Sequence, residues 1–273
     1  MSVNEKMTAI ADRLRLHTGT TDTLSLDEIV TEIDAASMQM YLAIRGMKEF
    51  YGAKFPDAFW DVIQIKGQRT DYSSVFMADT FTDESFKPKH KLNVTNARQM
   101  FSGNLTITDL SAVDMDFSNC TDFMFAFRSM ERLVKFGDIS VVSAMESVDE
   151  KGKTIAAVYR PFMTCSALVE VGTVTVAEEI TFDNMFVKCN ALEKVTFAGC
   201  IGQDFVMGHS PLNRASIESL VKCLSTKAEG KALTLKSGIV NTAFETSEGS
   251  GDGESVFLAF VDELGKGNWS ISY

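Results

Sequence analysis

No stretch of the chain approaches the roughly 18 consecutive apolar residues that a membrane-spanning helix needs, so membrane insertion is not expected. The opening Met1-Ser-Val-Asn-Glu-Lys6 lacks the basic and apolar regions of a secretory signal, which argues against export by the general secretory route. Histidine is scarce. Only His17, His90 and His209 are present, none in an H-E-x-x-H motif or beside a G-x-S-x-G turn, so a histidine-based hydrolase is not indicated. The five cysteines, Cys120, Cys165, Cys189, Cys200 and Cys223, form an odd set without a C-x-x-C pair, which gives neither a disulfide framework nor a common zinc pattern. Positive charge is also short: 26 Lys and Arg face 37 Asp and Glu, for a net charge of −11. Nonspecific binding to nucleic-acid phosphates needs clustered cations and is not expected. The one dense basic run, Lys87-Pro-Lys-His-Lys91, has Pro88 favouring an extended chain and no interleaved aromatics, and reads as a solvated loop.

What the chain does have is 45% hydrophobic residues over 273 positions, enough for a substantial core in one or two domains. These residues recur. The segments Asn93-Val-Thr-Asn-Ala-Arg-Gln-Met-Phe101, Asn119-Cys-Thr-Asp-Phe-Met-Phe-Ala-Phe127, Arg160-Pro-Phe162-Met-Thr-Cys165-Ser-Ala-Leu168 and Asp183-Asn-Met-Phe186-Val-Lys-Cys189-Asn-Ala-Leu192 form a degenerate repeat. Their phenylalanines stand 26, 35 and 24 residues apart, inside the leucine-rich-repeat range but for one insertion, placed at Val148 to Thr154. A less regular first unit lies around Phe76, Phe81 and Phe86. A repeat unit cannot bury its apolar face alone, so stacked units make a scaffold whose outer surface is free to bind. Cys165 and Cys189 share the 24-residue step and read as buried free thiols.

Around the repeat the chain predicts further elements. Val3, Met7, Ile10, Ala11 and Leu14 have helical spacing over 3–16. Ser25 with Glu28 forms a capping box for a second helix, whose positions 26, 29, 30 and 33 make one apolar stripe. Helical spacing resumes from Ser37 to Trp60, and Phe50, Tyr51, Phe55, Phe59 and Trp60 read as a cap on the first unit. Leu105–Leu110, Leu168–Val174 and Leu192–Phe197 alternate as strands with one buried face, the Phe segments read as helical turns, and Asn96, Asp122 and Asn190 suit tight turns. Beyond the repeat, helices are predicted over Ser216–Leu224 and Ser255–Leu264, and strands over Ala232–Lys236 and Trp269–Tyr273. The expected architecture is an α+β repeat protein. It comprises an N-terminal helical hairpin over 1–36 and a solenoid with one parallel sheet over 37–273, with an N-cap to about 70, repeats to about 210 and an αβ cap after that.

Asn93-Val-Thr95, Met100-Phe101, Met185-Phe186 and Cys189-Asn-Ala-Leu192 resemble the BspA-type class of bacterial leucine-rich repeats, whose units read roughly N-V-T-x-x-x-x-M-F-x-x-C-x-x-L. Leu212-Asn-Arg-Ala-Ser-Ile-Glu-Ser-Leu220, Leu233-Thr-Leu235 and Gly267-Asn-Trp-Ser-Ile271 resemble the module that closes such arrays. The opening Met1 to Leu14, with Thr18-Gly-Thr and Leu24-Ser-Leu-Asp27, is similar to a leader on tail and structural proteins of phages and prophages of Gram-positive bacteria. The repeats imply adhesion or recognition of a surface, and the leader implies a virion or prophage setting. The long insertion before Phe162 departs from the family, and no ligand-binding residue carries over.

Other chemistry is weighed and set aside. His90 and His209 have no partner motif and read as loop residues. Glu178-Glu179 and Asp114 with Asp116 are carboxylate pairs, but spacing alone does not set them across a sugar as glycoside hydrolysis requires. Glu248-Gly-Ser-Gly-Asp-Gly-Glu254 fits neither a phosphate loop nor a calcium hand and reads as a flexible exposed loop. The N-x-[ST] triplets at Asn93, Asn104, Asn119 and Asn268 read as turns and strand ends. Trp60 and Trp269 read as capping residues rather than sugar platforms. No catalytic, cofactor-binding or metal-ligating residue is assigned, no cofactor is expected, and the ligand-binding residues are unknown. The expected function is a non-enzymatic, tail-associated protein for host-surface recognition or virion structure, with a bacterial cell-surface adhesin or interaction module as the alternative. Its expected partners are other tail proteins, or a host-surface protein or glycan, with homo-oligomers formed through residues 1–35. The expected location is the virion, or the bacterial cytoplasm before assembly.

Overall fold

The computed structural model describes residues 69–78, 81–149, 151–247 and 249–273. The chain divides between Ile65 and Lys66 into two units, and the described residues belong to the second. The helices expected over 3–60 and the aromatic cap up to Trp60 lie outside the described residues. So do His17 and the interface expected of residues 1–35.

The architecture is mixed α/β with several short parallel sheets. In chain order the strands are β1 (Leu92–Asn93), β2 (Met115–Asp116), β3 (Lys135–Phe136), β4 (Ile139–Ser140), β5 (Ser147–Val148), β6 (Thr154–Ile155), β7 (Val158–Tyr159), β8 (Glu170–Val176), β9 (Phe182–Asp183), β10 (Lys194–Gly199) and β11 (Phe205–Met207). Then follow α1 (Arg214–Cys223), β12 (Lys231–Leu235), α2 (Ile239–Phe244), α3 (Gly253–Glu263) and β13 (Trp269–Ser272). Parallel pairs join β1 to β2 and β7 to β9. The longest sheet has β8 flanked by β10 on one side and by β3 and β4 on the other, and a third set runs β11-β12-β13. Parallel pairing is thus spread over short sheets, where the alternating segments predict a single one.

Between these strands the phenylalanine segments are turns, not helices, and their backbone is unusual. Residues with positive φ come in pairs four apart: Ser74 and Ala78, Gln99 and Gly103, Phe125 and Ser129, Arg160 and Thr164, Asn184 and Lys188. Only one of the ten is glycine, although the left-handed region costs other L-residues about 1–2 kcal/mol each. The backbone hydrogen bonds account for the conformation. Within a unit, every second amide closes a short turn, as Ala126 N does to Phe123 O and Arg128 N to Phe125 O. The intervening amides point along the stack. Those of residues 99, 101 and 103 donate to the carbonyls of 124, 126 and 128 at 2.7–2.9 Å, and those of 125, 127 and 129 donate to 159, 161 and 163. The amides of 160, 162 and 164 donate in turn to 183, 185 and 187. The amides of 99–103, 125–129 and 160–164 are satisfied by this ladder and its short turns without a helix, which is why the helical reading fails there.

The ladder sets the side chains in register. Phe76, Phe101, Phe127, Phe162 and Phe186 stack with centroids 4.9, 5.8, 4.8 and 5.2 Å apart. All five are at most 2% exposed. Each buried ring is worth roughly 1.5–3 kcal/mol of transfer free energy, with about 0.5–1.5 more per ring pair. Phe117 and Phe136 meet the stack edge-on. Beside the rings, the Cys165 thiol donates to Phe127 O and the Cys189 thiol to Phe162 O, at 3.0 and 3.1 Å. Both cysteines are free and buried, in equivalent places.

Leu105–Leu110 is not a strand. Asn104 Oδ1 accepts from Thr106 N and Ile107 N, and Asp83 Oδ1 accepts from Thr108 N and Asp109 N. Side-chain acceptors take the amides that a sheet would use, leaving one bridge from Asp109 to Lys135. The turn roles of Asn96 and Asp122 are visible: each carboxamide or carboxylate accepts from the amide two residues on, Arg98 N and Met124 N.

The C-terminal elements fall close to their predicted ranges. Asn213 Oδ1 accepts from Ser216 N and caps α1. The buried Trp269 Nε1 donates to Ser225 O at 2.8 Å. The six-residue α2 has no counterpart in the sequence pattern. The loop over 249–254 is more tied than its composition suggests, because Asp252 accepts from Thr246 N and from the hydroxyls of Thr246 and Ser250. Gly253 is needed there, since a Cβ would collide with Asn241 O.

Candidate recognition surface

The insertion that breaks the period folds into a hairpin. β5 and β6 pair antiparallel, and Asp149 Oδ1 accepts from the amides of Lys151 and Lys153 while Gly152 supplies a positive φ for the turn. The hairpin is held against the stacked turns at its base. Met145 N donates to Thr121 O, and Arg98 Nη2 reaches Ser147 Oγ and Val148 O at 3.3 and 3.5 Å. Met145, just before β5, and Val148, in it, are 63% and 55% exposed.

From this base a line of arginine and aromatic side chains runs across successive turns. Arg98 Nε lies 2.7 Å from Asp122 Oδ2, and its Nη1 meets Met124 Sδ at 2.8 Å. Phe125, next in the chain, meets Tyr159 edge-on at 5.3 Å. The Arg128 guanidinium stands 4.7 Å from the Phe125 ring centre and that of Arg160 4.9 Å from Tyr159. Arg160 Nε is 3.0 Å from Asp183 Oδ1, which also accepts from Asn184 Nδ2. Phe125, Tyr159, Arg98, Arg128 and Arg160 are all half-buried.

Two features separate this line from ordinary surface. Phe125 and Arg160 occupy the left-handed column that carries Ser74, Gln99 and Asn184 in the other units. A bulky ring there is strain kept by the hydrogen-bond ladder on both sides. Arg98 and Arg160 each have a carboxylate, whereas Arg128 forms no ion pair among the described residues and its Nε is buried without an acceptor.

The groups considered for catalysis are dispersed. His90 and His209 are exposed, as are Glu178 and Glu179. The Glu178 carboxylate accepts from the Ser225 hydroxyl. Asp116 pairs with Lys91 at 3.0 Å and accepts from Ser118 N, so the basic run is tied at its last lysine. Burial pushes the Cys120 and Cys165 thiols up to about 12, and that of Cys189 well above the ordinary range, which keeps them protonated at neutral pH. Among the described residues no group of three or more His, Cys, Asp or Glu is placed to hold a metal ion, and no helix is long and apolar enough to cross a membrane. Compared with protein-family models, curated proteins and solved structures, the chain finds no match.

The arginine–aromatic line was missed in the sequence. Its available signal is the 35-residue step from Phe127 to Phe162, because insertions in stacked arrays gather on one, often binding, face.

Proposed function

We propose that the chain is a non-enzymatic, phage- or prophage-encoded tail-associated protein, in which a leucine-rich-repeat-like solenoid presents a recognition surface toward the host and residues 1–35 attach or oligomerise it. One observation carries the recognition role: exposed Met145 and Val148 belong to the segment bonded to Arg98, from which Phe125, Tyr159, Arg128 and Arg160 continue in a line of ring and guanidinium contacts. The cross-unit hydrogen bonds and the stacked rings support the repeat reading, since each unit completes its bonds only on its neighbour. A pre-ordered surface loses little entropy on binding, which suits recognition.

The test is binding of the labelled chain to whole cells and isolated walls of Gram-positive hosts. Saturable binding that survives removal of residues 1–35 and is lost in a Met145→Ser, Val148→Ser variant is expected. Binding unaffected by that variant, or absent on every host, removes the recognition role. Wall glycans incubated with the chain are expected to release no reducing ends. Tail or holin genes beside its gene support the virion setting, while an export or anchoring system there supports the adhesin instead.

A further inference from the structure

We infer that the occupant of this surface is a polypeptide with a carboxylate flanked by apolar side chains, and that the carboxylate seats on Arg128 against Phe125. The inference rests on the recognition reading and adds the chemistry of the partner. A guanidinium presents its donors as a planar fork that fits a carboxylate in two parallel bonds. The forks of Arg98, Arg160 and Arg214 are each met by a carboxylate of this chain, at 2.7, 3.0 and 2.8 Å. Arg128 is half-buried, has no such partner among the described residues and carries an Nε sealed from solvent without an acceptor. A docking carboxylate meets the Nη groups of Arg128, which have no carboxylate partner among the described residues, while the sealed Nε stays out of its reach.

The neighbours of Arg128 select a protein over a charged polymer. Met, Phe, Tyr and Arg are the residue types enriched where proteins dock, and the line offers Phe125, Tyr159 and Arg128, with exposed Met145 and Val148 in the segment bonded to Arg98. A net charge of −11 repels a polymer with an anion on every unit, while a single carboxylate set among apolar side chains meets the local arginine without that penalty. Among the described residues Asp122 and Asp183 already pair with the flanking arginines of the line, leaving Arg128 as its unpaired guanidinium.

The test uses the full chain as bait for a displayed random-peptide library, followed by affinity measurement with the enriched peptides. Enrichment of sequences with Asp or Glu beside Leu, Met or aromatic residues is expected, with binding about tenfold or more weaker for Arg128→Gln and several-fold weaker for Arg128→Lys, which keeps charge but not the fork. Met145→Ser is expected to weaken it several-fold, and Arg132→Gln, at an exposed arginine outside the line, to leave it unchanged. Arg128→Gln removes no ion pair among the described residues, and an unchanged melting temperature shows that it folds. Failure to enrich any peptide, enrichment without acidic residues, or equal binding by Arg128→Gln overturns the inference. Tighter binding to an oligogalacturonate probe than to any peptide, or self-association abolished by Arg128→Gln, overturns it in favour of a glycan or a second copy. Loss of host binding in the hairpin variant with no effect of Arg128→Gln leaves the recognition role standing and removes only the carboxylate partner.

Discussion

In the turn segments 74–78, 99–103, 125–129 and 160–164 alternate backbone amides are satisfied on the next unit, whereas from Phe205 to Ser272 the regular bonds lie inside three short helices and one three-stranded sheet. The first stretch tolerates bulky residues at positive φ because the bonds on both sides leave them no alternative. The second obeys local rules: Asn213 caps α1, Gly238 takes a positive φ at the start of α2, and Gly253 leaves room where a Cβ would collide with Asn241 O. A cross-unit ladder therefore makes conformation a property of the neighbours, and a local cap makes it a property of a few consecutive residues.

The sharpest way to break the comparison is to remove one ring from each region. Phe127→Ala and Phe257→Ala both delete side chains with no exposed surface, and each is expected to cost about 3–5 kcal/mol in urea denaturation. The consequences should differ in reach. Loss of Phe127 is expected to speed hydrogen exchange at the amides of 99–103 and 160–164, two units at once, while loss of Phe257 stays within 231–273; equal spread would show that the two regions share one cooperative network.

Asn213→Ala removes the acceptor for Ser216 N and is expected to cost about 1 kcal/mol, an effect seen in the same denaturation experiment and confined to α1. Phe125→Asn places at that left-handed position the residue type found at Asn184. Relief of about 1–2 kcal/mol of backbone strain offsets the lost ring contacts with Arg128 and Tyr159. Stability is therefore expected to stay within about 1 kcal/mol of the parent while peptide binding falls. A large loss of stability would instead make Phe125 a structural residue.

Acid offers the smallest contrast, with one carboxylate from each region. The hydroxyl and amide of Ser118, with Lys91, hold Asp116 down to about 2. The hydroxyls of Ser250 and Thr246 do the same for Asp252. A folded value below the unfolded one means that the stability they contribute is fully present above the ordinary carboxylate range and is lost as pH falls toward 2. Melting temperatures at pH 6, 3 and 2 should drop over that window, and Asp116→Asn and Asp252→Asn should each shrink the drop. An unchanged drop in both would assign the acid sensitivity to other groups.

Much of the periodic organisation was legible in the sequence. The Phe spacing gave the stacked column, the shared 24-residue step placed Cys165 and Cys189 in equivalent buried positions, and the polar run at Asp149 marked the inserted segment. Leu105–Leu110 was misread because alternation says nothing about Asn104 and Asp83 capturing its amides first. The Phe segments were misread as helical turns because a ladder that donates every second amide to another unit has no local signature. The arginine–aromatic line escaped because Phe125, Arg128 and Tyr159 look unrelated along the chain.

The sequence by itself determined which residues are apolar, at what period they recur and where the period breaks, since these follow from composition and spacing. Only the tertiary structure decided the backbone of the turns and the state of each arginine, because hydrogen bonds between residues 23 to 34 positions apart hold the left-handed conformations and determine which carboxylate each guanidinium meets.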